Sequence, residues 1–337
     1  MTPDKRPSVP KAEANWAGRR ILVTGSTGFI GQHLVRQLVA HDAAVWCGVL
    51  PAETPAGGDT LPAHARQTPL DVRDAASVQS AITMSDPEIV FHLAAVGVTD
   101  PNGDPHAALT VNTHGTIHLL EALRERPPRR IVLVGTCYEY GARETREGLD
   151  PFNIYAASKV AAWAFARAYW RVFDLPIVVA RLFQVYGPGQ APGTLVPSAI
   201  EAALQGDDFP MTPGGQQRDF IFVEDVVAGL TALAQAADVD GCSLDVGTGQ
   251  AHSVRQVVER IWSITGAQGR VLPGDDVVSG GTRPVFEGRR IEGVPEVVVA
   301  IDRLALGAAD ELGRLRRHRT GVEDVVDDLD RQRRTRR

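Results

Sequence analysis

The sequence predicts an α/β fold built on a doubly wound parallel sheet, and three observations carry that expectation. Short apolar runs alternate with longer stretches whose apolar residues recur every three or four positions. The runs have few polar interruptions, as strands buried on both faces require. A glycine-rich turn lies directly between the first run and the first helical stretch.

Taken in order, Ile21-Leu22-Val23 is the first strand, and Leu34, Val35, Leu38 and Val39 mark the first helix. Residues 44–50 form a second strand, a third ends near Leu70, and 89–93 form a fourth. A long helix covers about 105–124, and 131–134 and 177–180 are the fifth and sixth strands. After Tyr186 the pattern loosens into the loop Gly187-Pro188-Gly189-Gln190-Ala191-Pro192-Gly193. Residues 242–247 read as a further strand, returning the chain to the main sheet. The expected division is a disordered leader at 1–17, a main domain at 18–186 with a return near 224–247, a smaller α/β lobe at 187–320, and a C-terminal helix and arginine-rich tail at 321–337.

Composition sets limits. Of 337 residues, 44% are apolar and 23% charged, which excludes a mostly disordered chain. The net charge of −6 gives no electrostatic reason to expect nucleic acid. No stretch is long and apolar enough to span a bilayer, and no apolar run follows the basic residues of the leader. Three widely separated cysteines, Cys47, Cys137 and Cys242, argue for a reducing compartment, so a cytoplasmic location is expected. No histidine shows metal-site spacing with suitable companions; His114 and His118 share a helix face, but no Glu follows His114 as a metalloprotease motif requires and no cysteine ligand lies close.

The helix around 152–173 carries Val160, Ala161, Ala162, Trp163, Ala164, Phe165, Ala166, Ala168, Tyr169 and Trp170, leaving almost no polar face. Such a helix needs burial on more than one side. The expectation is a homodimer formed through this helix and the one near 105–124.

Two motifs point to chemistry. In Thr24-Gly25-Ser26-Thr27-Gly28-Phe29-Ile30-Gly31, three glycines let the backbone turn tightly at the start of a helix. The helix N-terminus there offers N–H groups and partial positive charge to a pyrophosphate. In Tyr155-Ala156-Ala157-Ser158-Lys159, the tyrosine and lysine lie four residues apart on one helix face. The lysine ammonium is expected to lower the phenol pKa from its usual value near ~10.

Together these motifs resemble the short-chain dehydrogenase/reductase superfamily and, more narrowly, its extended branch of nucleotide-sugar epimerases, dehydratases and reductases. The resemblance runs from about Arg19 to Gly313. It includes Leu70-Asp71-Val72-Arg73-Asp74, His92-Leu93-Ala94-Ala95, Val111-Asn112, 136–141, 181–190 and 217–225. It implies a Rossmann-type domain and a smaller substrate-binding lobe that takes a nucleotide-diphosphate sugar. It further implies Tyr155 as acid/base, Thr136 as hydrogen-bond partner of the reacting oxygen, and Lys159 on the nicotinamide ribose. Gly25, Thr27, Gly28, Phe29, Ile30, Gly31, Asp71, Val72, Leu93, Ala94, Ala95 and Asn112 match cofactor positions, as do Tyr155 and Lys159. Gln184, Arg218 and Arg283 match substrate positions; Gln184 stands where the family usually has asparagine.

Departures from the family pattern narrow the activity. Its 4,6-dehydratases place Asp-Glu after the catalytic threonine; here those positions hold Cys137 and Tyr138. Glu139, one residue later, is expected on the far side of the strand. NAD-using members carry an acid after the second strand, but this chain reads Cys47-Gly48-Val49-Leu50-Pro51, with Glu53 further on. NADPH is thereby permitted, and NAD is expected if the chain is an epimerase. The run Gly135-Thr136-Cys137-Tyr138-Glu139-Tyr140-Gly141 resembles the active-site strand of 4-keto-6-deoxyhexose reductases. Only 19 positions separate Thr136 from Tyr155, leaving little room for an inserted loop. The reading is NAD(P)H-dependent reduction of a nucleotide-linked 4-keto-6-deoxyhexose in deoxysugar biosynthesis. A 4-epimerase that retains NAD is the alternative, and a non-catalytic dinucleotide sensor a remote one.

Overall fold

A computed structural model describes residues 16–50, 61–141 and 148–274. Contacts divide them into two compact units, one holding 16–185 and 218–251, the other 186–217 and 252–274.

The first unit opens with β1 (Arg20–Thr24), α1 (Phe29–Ala40), β2 (Ala44–Val49) and β3 (Arg66–Pro69). Next come α2 (Ala75–Ser85), β4 (Ile89–His92), α3 (Pro105–Ala108), a π-helical turn (Leu109–His114) and α4 (Gly115–Arg124). Then β5 (Arg130–Thr136) runs into a single 3-10 turn (Cys137–Tyr140), followed by α5 (Ile154–Phe173), β6 (Ile177–Leu182) and β7 (Gln184–Tyr186). The second unit contributes α6 (Leu195–Gln205) and β8 (Phe209–Met211) before β9 (Gln217–Arg218), β10 (Phe220–Phe222), α7 (Val223–Gln235) and β11 (Ser243–Val246). It resumes with β12 (His252–Ser253), α8 (Val254–Thr265) and β13 (Val271–Pro273).

Seven strands form one sheet in the order β11-β6-β5-β4-β1-β2-β3, with parallel pairing throughout. Alternate residues of each central strand serve opposite faces. Ile21, Val23, Val132, Val134, Val178 and Ala180 pack with α1 and α7, while Leu22, Ile131, Leu133, Ile177 and Val179 pack with α2, α4 and α5. This is the Rossmann-type α/β fold. Strand order reverses between β1 and β4, where Thr24 pairs with His92. A doubly wound sheet binds its ligands outside the strand ends at that switch point.

Two expectations change. Trp16 is 4% exposed and sits 6.5 Å from the Phe91 ring, so the fold begins inside the expected 1–17 leader. The helix at 105–124 is interrupted by the π-helical turn, after which Gly115 lies so close to Val72 that a Cβ would meet its Cγ2 at 2.8 Å. Helix α5 buries one face, through residues including Tyr155, Lys159, Ala162 and Ala166, and leaves Phe165 43% and Val172 67% exposed. No helix among the described residues is long and apolar enough to cross a membrane. Arg283, Glu53, the leader up to residue 15 and the tail at 321–337 lie outside the described residues.

In the second unit, α6 packs with α8, and β8 pairs in parallel with β13. The Trp262 ring of α8 covers Phe209, their centroids 5.8 Å apart.

Candidate active site

The glycine turn after β1 is shaped by backbone. Gly25 has φ +66°, which L side chains avoid, and a Cβ there would lie 2.7 Å from the Ala94 nitrogen. A Cβ on Gly31 would collide with the Gly25 carbonyl oxygen. Helix α1 starts with no side-chain cap and no acid in its first turn, so its leading N–H groups have no competing acceptor from either source. Thr27 is buried, and its carbonyl accepts the Gln32 amide at 2.8 Å. Phe29 and Ile30 are half-buried at the helix entrance, Phe29 edge-on to His33 and Ile30 against the core. A cradle that excludes side chains and presents helix amides fits a dinucleotide pyrophosphate.

Across the switch point the strand ends are tied by side chains. Thr24 Oγ1 accepts Ala94 N–H (3.2 Å) and lies 2.7 Å from His92 Nδ1. His92 Nε2 lies 3.0 Å from Thr116 Oγ1, whose hydroxyl donates to the Asn112 carbonyl (2.7 Å). Thr116 has only one hydrogen and gives it to Asn112, so His92 Nε2 is the protonated nitrogen and Thr24 donates to Nδ1. Burial drives the His92 pKa down to about 3, with Lys159 pushing the same way, so the imidazole is neutral. Asn112 is fully buried; its carboxamide accepts Val96 N–H (2.9 Å) and donates to Val96 C=O (3.0 Å) and Ser158 Oγ (2.8 Å). Ser158 donates to the Tyr155 carbonyl at 2.7 Å. Asn112, matched above to a cofactor position, therefore spends its side chain bracing the wall. Leu93 packs on the core beside Gly25, and Ala95 follows on the same half-buried stretch.

The other cofactor positions divide. The Asp71 carboxylate is gripped by Arg73 through contacts of 2.7–3.1 Å, which holds its pKa below the usual carboxylate value. Val72 is a core residue, and its carbonyl is 2.9 Å from His118 Nδ1.

Asn153 caps α5, accepting Ala156 N–H at 2.7 Å, and so fixes the register that aims Tyr155 and Lys159. Thr136 ends β5, its side chain close enough to Tyr155 to lower the phenol pKa. The structure thus brings Thr136, Tyr155 and Lys159 together. It reverses the expected titration, however. Tyr155 is 7% exposed, and its pKa rises well above the ordinary phenol value. Burial is the largest cause, reinforced by Glu139, Cys137 and Tyr138 and opposed by the Thr136 hydrogen bond. Lys159 is also buried, which lowers its ammonium pKa to about 8 although Glu139 supports the charge. Desolvation outweighs the helical i,i+4 neighbour.

Glu139 also departs from expectation. The chain leaves the strand at Thr136, and the 3-10 turn folds the Glu139 carboxylate back onto the Thr136 N–H (2.9 Å) and the Arg181 guanidinium (2.6 Å). Tyr138 packs edge-on to Phe152 and accepts the Gln184 amide at 2.8 Å, placing Gln184 beside the same turn. Gln184 N–H donates to the Asp219 carbonyl (3.0 Å), so half-buried Arg218, the preceding residue, lies on the adjoining segment. Sequence reasoning passed over His92, Ser158 and Arg181, although His92 stood in a quoted segment and Arg181 began another. Among the described residues no group of three or more metal-ligating side chains occurs.

A cradle for pyrophosphate on one side of the switch point and a Thr–Tyr pair with its lysine on the other define a dinucleotide-dependent protein of the short-chain dehydrogenase/reductase type. Comparison with known proteins makes this narrower. The chain belongs to the NAD dependent epimerase/dehydratase family, which it matches over residues 21–247. It is 30% identical over 262 residues to the Bacillus subtilis protein described as an uncharacterized UDP-glucose epimerase, YtcB, aligning 73% of this chain with 82% of that one. It is 32% identical over 267 residues to UDP-glucose 4-epimerase of Mycolicibacterium smegmatis, covering 74% and 83% of the two chains. Among solved structures, Thermus thermophilus UDP-glucose 4-epimerase in complex with NAD superposes with a TM-score of 0.73 at 28% identity, covering 86% of this chain and 98% of that one.

Proposed function

We propose that this chain carries out hydride chemistry at C4 of a nucleotide-linked sugar, with Tyr155 moving the proton, and that its reaction is reduction of a 4-keto-6-deoxyhexose. The observation that carries the reading is the placement of Tyr155, buried on α5, beside Thr136 at the end of β5. Gly25 to Gly31, with Leu93, Ala94 and Ala95 opposite, would hold the nicotinamide dinucleotide, which supplies or accepts the hydride when bound. Lys159 would hold its ribose. Thr136 orients the carbonyl oxygen by hydrogen bonding, and Tyr155 gives its proton to that oxygen. A phenol whose pKa is raised keeps its proton at neutral pH, as a donor must.

Dehydration by the family's acidic pair is disfavoured, because Cys137 and Tyr138 replace that pair and Glu139 is turned back into the protein. Among the described residues 44–50, no acid follows β2 to repel a 2′-phosphate, which permits NADPH as the reductant. A second reading, 4-epimerisation with retained NAD, draws on the two relatives named as UDP-glucose epimerases and on the NAD-bound Thermus neighbour. Gln184 and Arg218 would hold the nucleotide sugar; guanidinium suits a diphosphate. The exposed Phe165 and Val172 on α5 and Leu109 on the π-helical turn support a homodimer through these helices.

Denaturing the purified protein and identifying the released dinucleotide separates the readings. Stoichiometric NAD supports the epimerase and counts against the reductase. An empty protein that oxidises NADPH only with a nucleotide-linked 4-keto-6-deoxyhexose supports the reductase.

A further inference from the structure

Glu139 is fully buried, and the reaction as described gives it no task. Its position is over-determined. One carboxylate oxygen accepts Thr136 N–H at 2.9 Å and the other accepts Arg181 Nε–H at 2.6 Å. Gly135 faces it so closely that a Cβ there would lie 2.5 Å from Oε1. The Glu139 carbonyl accepts Asp150 N–H at 3.0 Å. Arg181 is held equally firmly, over the rings of Tyr140 (5.1 Å) and Trp163 (5.5 Å). Its Nη1 donates to the Tyr140 hydroxyl (3.4 Å), which donates to Asp245 (2.7 Å).

Stability alone is a poor reason for this pair. Burying two charges costs about as much as their attraction returns, and apolar replacements of equal volume are often neutral or better. Location is the better reason. The residue whose N–H Glu139 caps is the one whose side chain lies beside the Tyr155 phenol. We propose that Glu139 is a positioning residue for the Tyr155 proton: fixed by Arg181, its carboxylate anchors Thr136 from behind and places a fixed negative charge in the 3-10 turn that packs against α5. The inference rests on Tyr155 being the proton donor.

The charged and titratable groups around the dyad are known from each side. Cys137, Tyr138 and Glu139 act on Tyr155 from the 3-10 turn, and Lys159 and His92 act on each other across α5 and β4. Arg181 and Tyr140 couple to Glu139 and Asp245 behind the turn. His92 is neutral, and Cys137 and Tyr138 stay in place in the variants below, so the change isolates the Glu139 charge.

The test is Glu139→Gln, which keeps an acceptor for Thr136 N–H and removes the charge. Tyrosinate absorbance, titrated with pH and corrected by the same protein carrying Tyr155→Phe, reads Tyr155 alone. Its ionisation is expected at least about one pH unit lower in Glu139→Gln than in wild type. The alkaline fall of kcat, measured with NADPH and a thymidine diphosphate 4-keto-6-deoxyhexose or with UDP-glucose, moves the same way. Identical titrations, including no phenolate in either protein up to alkaline unfolding, overturn the inference, as does a kcat lowered equally at all pH values. If Glu139→Gln fails to fold with Arg181 unpaired, the double variant Glu139→Gln/Arg181→Met removes both charges, and the same acidward shift is expected. Activity retained in Tyr155→Phe removes the proton-donor assignment itself. Activity lost there, with unmoved titrations in the Glu139 variants, removes only the role of Glu139.

Discussion

The glycine turn at 24–31 and the wall around Tyr155 stand at the same end of one sheet but are specified differently. The turn is written in backbone: Gly25 at φ +66°, no room for a Cβ at Gly31, and an uncapped α1. The wall is written in buried side chains, with Thr24, His92, Thr116, Asn112 and Ser158 joined in one line and Glu139 and Arg181 in another. A backbone site tolerates no added volume, whereas a side-chain site tolerates no unmatched donor or acceptor.

Substitutions can break this contrast. The largest effect is expected at Tyr155→Phe, where losing the acid/base group lowers turnover by about 10²–10⁴. Only one hydroxyl is removed, so its thermal unfolding should stay close to wild type by calorimetry; a parallel collapse of the fold would make Tyr155 structural. Gly31→Ala comes next, costing about 1–3 kcal/mol of stability through overpacking. It should also abolish dinucleotide binding in calorimetric titration, and unimpaired binding would deny that the turn is the cradle.

His92 gives the wall a signature in acid. In the unfolded chain it titrates near 6.5, and in the folded one near about 3. The unfolded state binds more protons between these values, so the stability His92 contributes falls as pH drops from 6.5 toward 3. Urea unfolding of His92→Asn should show lower stability at neutral pH, by about 1–3 kcal/mol, and a flatter decline in acid. An equally steep decline would place the acid sensitivity elsewhere. Ser158→Ala should have the smallest effect, about 1–2 kcal/mol for the lost hydrogen bonds to Asn112 and to the Tyr155 carbonyl. Its turnover should change less than that of Tyr155→Phe.

The same contrast explains what could be read in advance. The succession of strands and helices along the chain and the glycine turn were legible because apolar runs and glycine spacing are local signals. Tyr155 and Lys159 were legible because four residues on a helix fix a shared face. The bonds of the wall were not, because they join residues far apart in sequence: 68 positions from Thr24 to His92, 46 from Asn112 to Ser158 and 42 from Glu139 to Arg181. Glu139 was placed on the wrong side because alternation was extended past Thr136, where the capping box begins a 3-10 turn. The Tyr155 titration was misjudged because sequence shows the lysine four residues away but not the burial of both groups.

The central claim is that Tyr155 transfers a proton in a hydride reaction at a nucleotide-linked sugar. Steady-state NADPH oxidation with a thymidine diphosphate 4-keto-6-deoxyhexose, run on wild type and Tyr155→Phe side by side, tests it most directly. Oxidation by the wild type that depends on the sugar and falls by at least about a hundredfold in Tyr155→Phe is the result expected. Equal rates in the two proteins, or no oxidation by a wild type that releases stoichiometric NAD on denaturation, would contradict the account.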